Sequence, residues 1–368
     1  MNNIRRILAA AFAASALMGC QKKEDTIKIG LAAVQTGPDA EIGTAPIRGS
    51  ELAIDEWNAK GGLLGKKIEA VTRDDEGKAS QAVAVAQELV AAGVKAVVGH
   101  YNSGCSLPAS EVYHQAGIVQ ITPGSTNPQV TERGFKQIFR VCGRDDQQGE
   151  VAAKFAVDSL KATIVAVINN KTAYGQGLAE VFKKTVEAKG GKVALFDGLA
   201  SEEMDFRATI STIQKSGAQV VFWGGMYSQA GPFFNQLRQA GYKGAFMGGD
   251  GMYDAELLKT VGAKADSVFI TFGPDFIHSE AAKPFLAAYK KKFQKEAGGY
   301  AIYGYDATNI LLAAMQKAGT TDADKVSEAL RSQDWKALMG DLGFDAKGDL
   351  KKANFVVWTI RGGAFAVR

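Results

Sequence analysis

From Thr26 onward the chain alternates short runs of β-favouring residues with amphipathic stretches, and it does so in two successive series. The first series has the runs "TIKIGLAAV", "KIEAVTRDD", "VKAVVGH", "GIVQITP" and "KQIFRVC". Between them lie predicted helices over 46–60, 80–92 and 107–116, the last with Pro108 in its first turn. The second series follows "GRDDQQG" and contains "TIVAVINN", "KVALFDG", "AQVVFWGG" and "GAFMGGDG", again separated by helical periods. Strands alternating with helices of this length predict parallel, doubly wound sheets, and two series predict two similar α/β lobes. The tail adds two long helices and a strand, "ANFVVWTIRGG". At 368 residues, 46% hydrophobic and 22% charged, the chain has enough apolar sequence for two cores.

Residues 1–19 carry Arg5 and Arg6 and then a short apolar run, the pattern of a secretory signal too short for a stable membrane span. "LMGC" resembles a bacterial lipobox ending at Cys20, while "AFAASA" would also permit ordinary cleavage. Without the signal the formal net charge falls from +4 to +2, which excludes the strongly basic balance of a nucleic-acid binder. Beyond Cys20, Cys105 and Cys142 remain, in a compartment where a disulfide is permitted. The isolated His100, His114 and His278 offer no zinc-ligand spacing, so no metal or cofactor is expected.

The turn "GHYNSG" after the third strand admits several chemistries. Ser103 is a candidate nucleophile, a helix N-cap, or part of an anion cradle. Hydrolysis is disfavoured because His100 is the sole nearby base and no G-x-S-x-G elbow exists. "GGLLGKK" fails as a phosphate loop on spacing and on Lys67, where Ser or Thr belongs. Similar polar, mostly uncharged turns end other strands: "TPGSTNP", "NNKTAYGQG" and "GGDG". Because ligands of open parallel sheets collect at the carboxyl ends of strands, this set points to binding of a small zwitterion without reaction.

Taken together, "IKIGLAAVQTGP", "NAKGG", "GHYNSG", "ITPGSTNP", "RDDQQG", "YGQGLA" and "FDAKGDL" resemble the periplasmic leucine/isoleucine/valine-binding proteins, solute receptors of branched-chain amino acid ABC transporters. The likeness spans nearly all of 26–363. It implies the type I periplasmic binding protein fold: two Rossmann-like lobes joined by three crossovers, residues 25–144 with 274–353 and residues 145–273 with 354–368. It also implies a non-enzymatic monomer in the periplasm that captures a branched-chain or other aliphatic amino acid and hands it to a permease. A sensor on the same fold, or a receptor for an amide or aromatic acid, is the alternative.

The resemblance places the ligand carboxylate on Ser103 and on backbone N–H groups of its turn and of Thr126. It places the ammonium on the Gly124 carbonyl, the Thr126 hydroxyl and an acid at Asp250. Tyr174 would reach across from the second lobe, and Tyr101, Asn102, Ser125 and Tyr300 fall beside the lining. Where the family often has aromatics, this chain has Ile42 and Met226, with Tyr227 adjacent, and Asp250 stands for a longer glutamate. Asn102 and Gly77 occupy the positions of the family's cysteine pair. Each residue also has a local explanation: Thr126 as a turn hydroxyl, Asp250 as an Asx-turn acid, Tyr174 as a helix-start aromatic.

Overall fold

A computed structural model describes residues 26–262 and 265–368; the signal-like segment and Cys20 lie outside the described residues. The first sheet is fully parallel, ordered β2-β1-β3-β4-β5, from β1 (Ile27–Ala33), β2 (Ile68–Asp74), β3 (Ala96–Gly99), β4 (Val119–Thr122) and β5 (Ile138–Arg140). Its centre, β3, is buried along its whole length, as a strand covered by helices on both faces must be. The covering helices include α1 (Ala40–Ala59), α2 (Ala79–Ala91) and α3 (Ser103–Gln115).

The chain then crosses through 141–144 into a second sheet, where α4 (Asp145–Lys154) precedes β6 (Ile164–Asn169). That lobe continues with α5 (Ala173–Ala188), β7 (Lys192–Gly198), α6 (Arg207–Ser216), β8 (Val220–Gly224), α7 (Tyr227–Gln239), β9 (Ala245–Gly248), α8 (Ala255–Val261) and β10 (Val268–Phe272). The order is β14-β13-β10-β9-β8-β6-β7, with β13 (Val356–Arg361) and β14 (Ala364–Val367) antiparallel at one edge. Between β10 and β13 the chain returns to the first lobe as α9 (Lys283–Phe293), α10 (Ala301–Ala318), α11 (Ala323–Arg331) and the small hairpin of β11 (Trp335–Ala337) and β12 (Gly340–Leu342). Three crossings therefore join the lobes, at 141–144, 273–279 and 343–355.

Two helices begin earlier than the sequence predicts. α1 starts at Ala40 and contains Pro46, and α3 starts at Ser103, so Pro108 falls in its second turn. Each proline removes one backbone bond from a helix that tertiary packing holds in place. For α1 the packing is unusually close: a Cβ on Gly304 of α10 would lie 2.0 Å from the Pro46 carbonyl oxygen, so only glycine lets the two backbones meet. The Ser50 hydroxyl donates to the Pro46 and Gly304 carbonyls in the same contact. Strands β10, β11, β12 and β14 lie outside the predicted runs; β10 follows only the seven-residue α8, and β12 and β14 close hairpins on the strands before them.

The two cysteines do not pair. Cys105 packs with Ala82, Val85, Leu89 and Tyr113 between α2 and α3, whereas Cys142 lies in the larger cluster that runs through both lobes. Both thiols are free and buried, and burial raises both pKa values. Thiol titration of the unfolded, unreduced protein should therefore count Cys105 and Cys142 as free; loss of both would contradict this packing.

Candidate functional site

The strand ends "GHYNSG" and "TPGSTNP" meet because β3 and β4 are neighbours in register, with Val97 opposite Gln120. Their loops are fixed from below by a dense set of bonds. Hydroxyls of Ser106, Thr122 and Ser125 donate to the His100 carbonyl at 3.2, 2.6 and 3.1 Å. The His100 ring is wholly buried between Asp75, 2.6 Å away, and the Tyr113 hydroxyl at 2.9 Å. A ring so occupied supports the loop and is no general base for Ser103.

Ser103 opens α3, with Asn102 rather than Ser103 at the cap position. Its hydroxyl oxygen accepts the Asn127 N–H at 3.2 Å, which leaves its proton free to donate. The first N–H groups of α3 have no partner within the helix, so the loop end carries positive potential suited to a carboxylate. Gly124 lies against Tyr101: a Cβ there would fall 2.5 Å from the ring, so the loop needs glycine to pass the aromatic.

From the second lobe, Asp250 follows β9 and is 3% exposed. Its carboxylate accepts the hydroxyls of Tyr174 at 2.7 Å and Tyr300 at 2.6 Å, and the Tyr174 oxygen in turn accepts the Gly251 N–H. Tyr300 precedes α10 on the first lobe, so this bond spans the cleft. Two more contacts close it: Tyr227 donates to the Pro38 carbonyl at 2.9 Å and the Asn127 amide to the Ala173 carbonyl at 2.7 Å.

Within the closed cleft Tyr101, Asn102, Ser103, Gly124, Tyr174, Met226, Asp250 and Gly251 line a narrow cavity of ≈ 10 Å³. That is about the room of a single water, roughly 10–15 Å³, so the two walls lie nearly in contact. Larger hollows, such as the ≈ 540 Å³ groove beside Met204 and Gln236, are open surface features away from the strand ends.

Not every expected residue faces this cavity. Ser125 turns its hydroxyl below the loop, to the His100 and Tyr101 carbonyls and Ser106. Ile42 is buried in the core, and Tyr227 serves as a cleft contact. Thr126 is fully buried with its hydroxyl unpartnered.

Asp145, the first residue of α4, is a buried acid close to Asp250 that the sequence reading misses. Its N–H donates to the Thr126 carbonyl at 2.9 Å, yet both carboxylate oxygens are buried with no hydrogen-bond partner. Burial, reinforced by the negative charge of Asp250, holds its pKa well above the ordinary carboxylate range, and the nearby Thr126 hydroxyl offsets this only in part. Burial also raises the pKa of Asp250, against the lowering effect of its tyrosine bonds. The only signal for Asp145 in the sequence is an acid at a helix start, which the helix dipole alone also favours.

Residues 26–364 match the family described as periplasmic binding protein. The chain belongs to that family. It is 41% identical over 340 residues to a Leu/Ile/Val-binding protein homolog of Brucella abortus, covering 92% of this chain and 91% of the relative. It is 40% identical over 354 residues to a leucine-, isoleucine-, valine-, threonine- and alanine-binding protein of Pseudomonas aeruginosa, covering 95% of each. Among solved structures it superposes on a leucine binding protein of Thermotoga maritima with TM-score 0.86 and 28% identity, over 93% of this chain and 97% of the other. A branched-chain amino acid binding protein of Streptococcus pneumoniae in complex with isoleucine gives 0.84 and 28%, over 94% and 99%.

An acid whose pKa is raised on folding contributes stability that is fully present below its unfolded pKa and is lost as pH rises through the folded one. Both pH 5 and pH 7 lie above the ordinary carboxylate range, so the raised Asp145 pKa weighs more against folding at pH 7 than at pH 5. Asp145→Asn should therefore raise the urea midpoint of the unliganded protein at pH 7, and the gain should shrink at pH 5. A lower midpoint at pH 7 would contradict the uncompensated state of this carboxyl.

Proposed function

We propose that this chain is an extracytoplasmic receptor that closes on one branched-chain or similar neutral amino acid and delivers it to an ABC transporter permease. The observation that carries the reading is the buried carboxyl of Asp250, with that of Asp145 near it, in a cavity that also takes Ser103 at the N-terminus of α3. The carboxyls favour a cation and the helix N-terminus an anion. The ligand's carboxylate would sit on Ser103 and the first N–H groups of α3. Its ammonium would face Asp250, Asp145 and the Thr126 hydroxyl, which otherwise lacks a partner.

Met226 and the ring of Tyr101 leave an apolar end for an aliphatic side chain. A carboxylic acid without an amino group would leave both carboxyls uncompensated, which argues against the aromatic-acid alternative. Names of the Brucella and Pseudomonas relatives support the branched-chain class. The arrangement uses no reacting group: the Ser103 hydroxyl has no free base, so binding and release are its chemistry. The signal-like residues 1–19 and the lipobox-like Cys20 fit export with attachment to the membrane surface, and we assign the receptor to act as a monomer.

Calorimetry of protein freed of ligand by unfolding and refolding, against all twenty amino acids and common amides, tests the reading. Tight binding should be confined to neutral, mainly aliphatic amino acids. Asp250→Asn should cost about 2–4 kcal/mol, as removal of one member of a buried charge pair does. Ser103→Ala should cost less, about 1–3 kcal/mol, because the helix N–H groups remain. Wild-type affinity in Asp250→Asn, or tight binding of a ligand without an amino group, would overturn the assignment.

A further inference from the structure

The fully buried Arg140, at the end of β5, takes no direct place in the cavity, yet it touches the loop that builds it. One guanidinium nitrogen, Nη1, donates to the Ser125 carbonyl at 2.7 Å and to the Asn127 carbonyl at 3.1 Å. These carbonyls flank Thr126, whose own carbonyl is held by the Asp145 N–H at 2.9 Å. Three successive carbonyls are thus engaged inside the protein, while the Thr126 hydroxyl between them is left unpartnered.

The guanidinium is itself held. Its Nε donates to Asp349 at 2.6 Å and its Nη2 to the Thr131 hydroxyl at 2.7 Å, and that hydroxyl donates to the same Asp349 oxygen. The other Asp349 oxygen takes Arg144 of the first crossing at 2.7 Å. Asp349 comes from "FDAKGDL", where the Asp345 side chain accepts the N–H groups of Lys347, Gly348 and Asp349 in one tight turn. The turn also presents the Gly348 carbonyl to the Arg140 N–H at 3.0 Å.

We propose that the Arg140–Asp349 pair is a positioning unit for the ammonium and carboxylate contacts of Thr126: it sets the orientation of the Ser125–Asn127 backbone and so determines ligand affinity without touching ligand. The geometry demands a planar fork. A lysine ammonium is a single point and cannot bridge two carbonyls, a carboxylate and a hydroxyl at once. The proposal rests on the receptor reading above.

A double-mutant cycle on the full-length protein, with leucine as the probe in calorimetry, tests it. Arg140→Lys should weaken leucine binding about 10- to 100-fold, by loss of charge-assisted bonds at a buried site. In a Thr126→Val background the same change should cost at least about fivefold less, because part of what Arg140 positions is already gone. Asp349→Asn should weaken binding in the same direction and couple to Thr126→Val in the same way; it carries the cycle if Arg140→Lys does not fold. Equal losses in both backgrounds, unchanged leucine affinity, or failure of both variants to give a cooperative thermal transition would each overturn the proposal in favour of a purely structural ion pair. A parent protein that binds no amino acid would instead overturn the receptor reading, so the two failures are distinct.

Discussion

Two buried carboxyl groups, Asp250 in the closed cleft and Asp145 beside Thr126, lie close enough to repel, and among the described residues no side-chain cation donates to either. A buried carboxylate is costly unless a charge or several hydrogen bonds compensate it. Asp250 accepts two tyrosine hydroxyls, and Asp145 accepts no hydrogen bond. The raised pKa of both carboxyls reflects that burial outweighs the compensation the protein supplies, from the tyrosines at Asp250 and from Thr126 and Arg140 at Asp145. On the proposed reading a proton or a ligand ammonium compensates these carboxyls, while the ligand's carboxylate meets the N-terminus of α3.

The rest of the architecture follows from meeting this condition reversibly. Asp145 and Asp250 both belong to the second lobe, while the lid over them, Tyr101 and Tyr300, belongs to the first; the two rings stack edge to face at 4.9 Å. Separation of the lobes would return the carboxyls to water, and closure would bury them again. Three crossings allow that motion while few hydrogen bonds span the cleft, among them those of Tyr300, Tyr227 and Asn127. Because the ligand meets both walls only when the lobes are together, one that supplies the missing charge shifts the population toward the closed form.

Much of this is legible in the sequence. The strand alternation yields the lobes, and the polar turns at strand ends locate Ser103, Gly124, Tyr174 and Asp250, because in parallel sheets topology alone carries such turns to one edge. Side-chain direction is less legible. Ser125 and Thr126 are neighbours in one turn, yet one hydroxyl points under the loop and the other stays unpartnered; the difference depends on Arg140 and Asp145, which come from other elements. Ile42 goes into the core because α1 begins at Ala40 and places it on the packed face. Asp145 is hidden by its ordinary setting, since acids are common in first helical turns. Arg140 is hidden within an apolar strand whose partner, Asp349, lies 209 residues away.

On the proposed reading, the ligand's ammonium compensates the two buried carboxyls and so favours closure. Small-angle scattering of ligand-free protein at neutral pH, alone, with saturating leucine, and with equally concentrated 4-methylpentanoate, addresses this directly. The last compound keeps the side chain and carboxylate of leucine and lacks only the amino group. The radius of gyration should fall with leucine and stay unchanged with 4-methylpentanoate. An equal decrease with both compounds, or a ligand-free protein already as compact as the leucine complex, would contradict a closure driven by the ammonium.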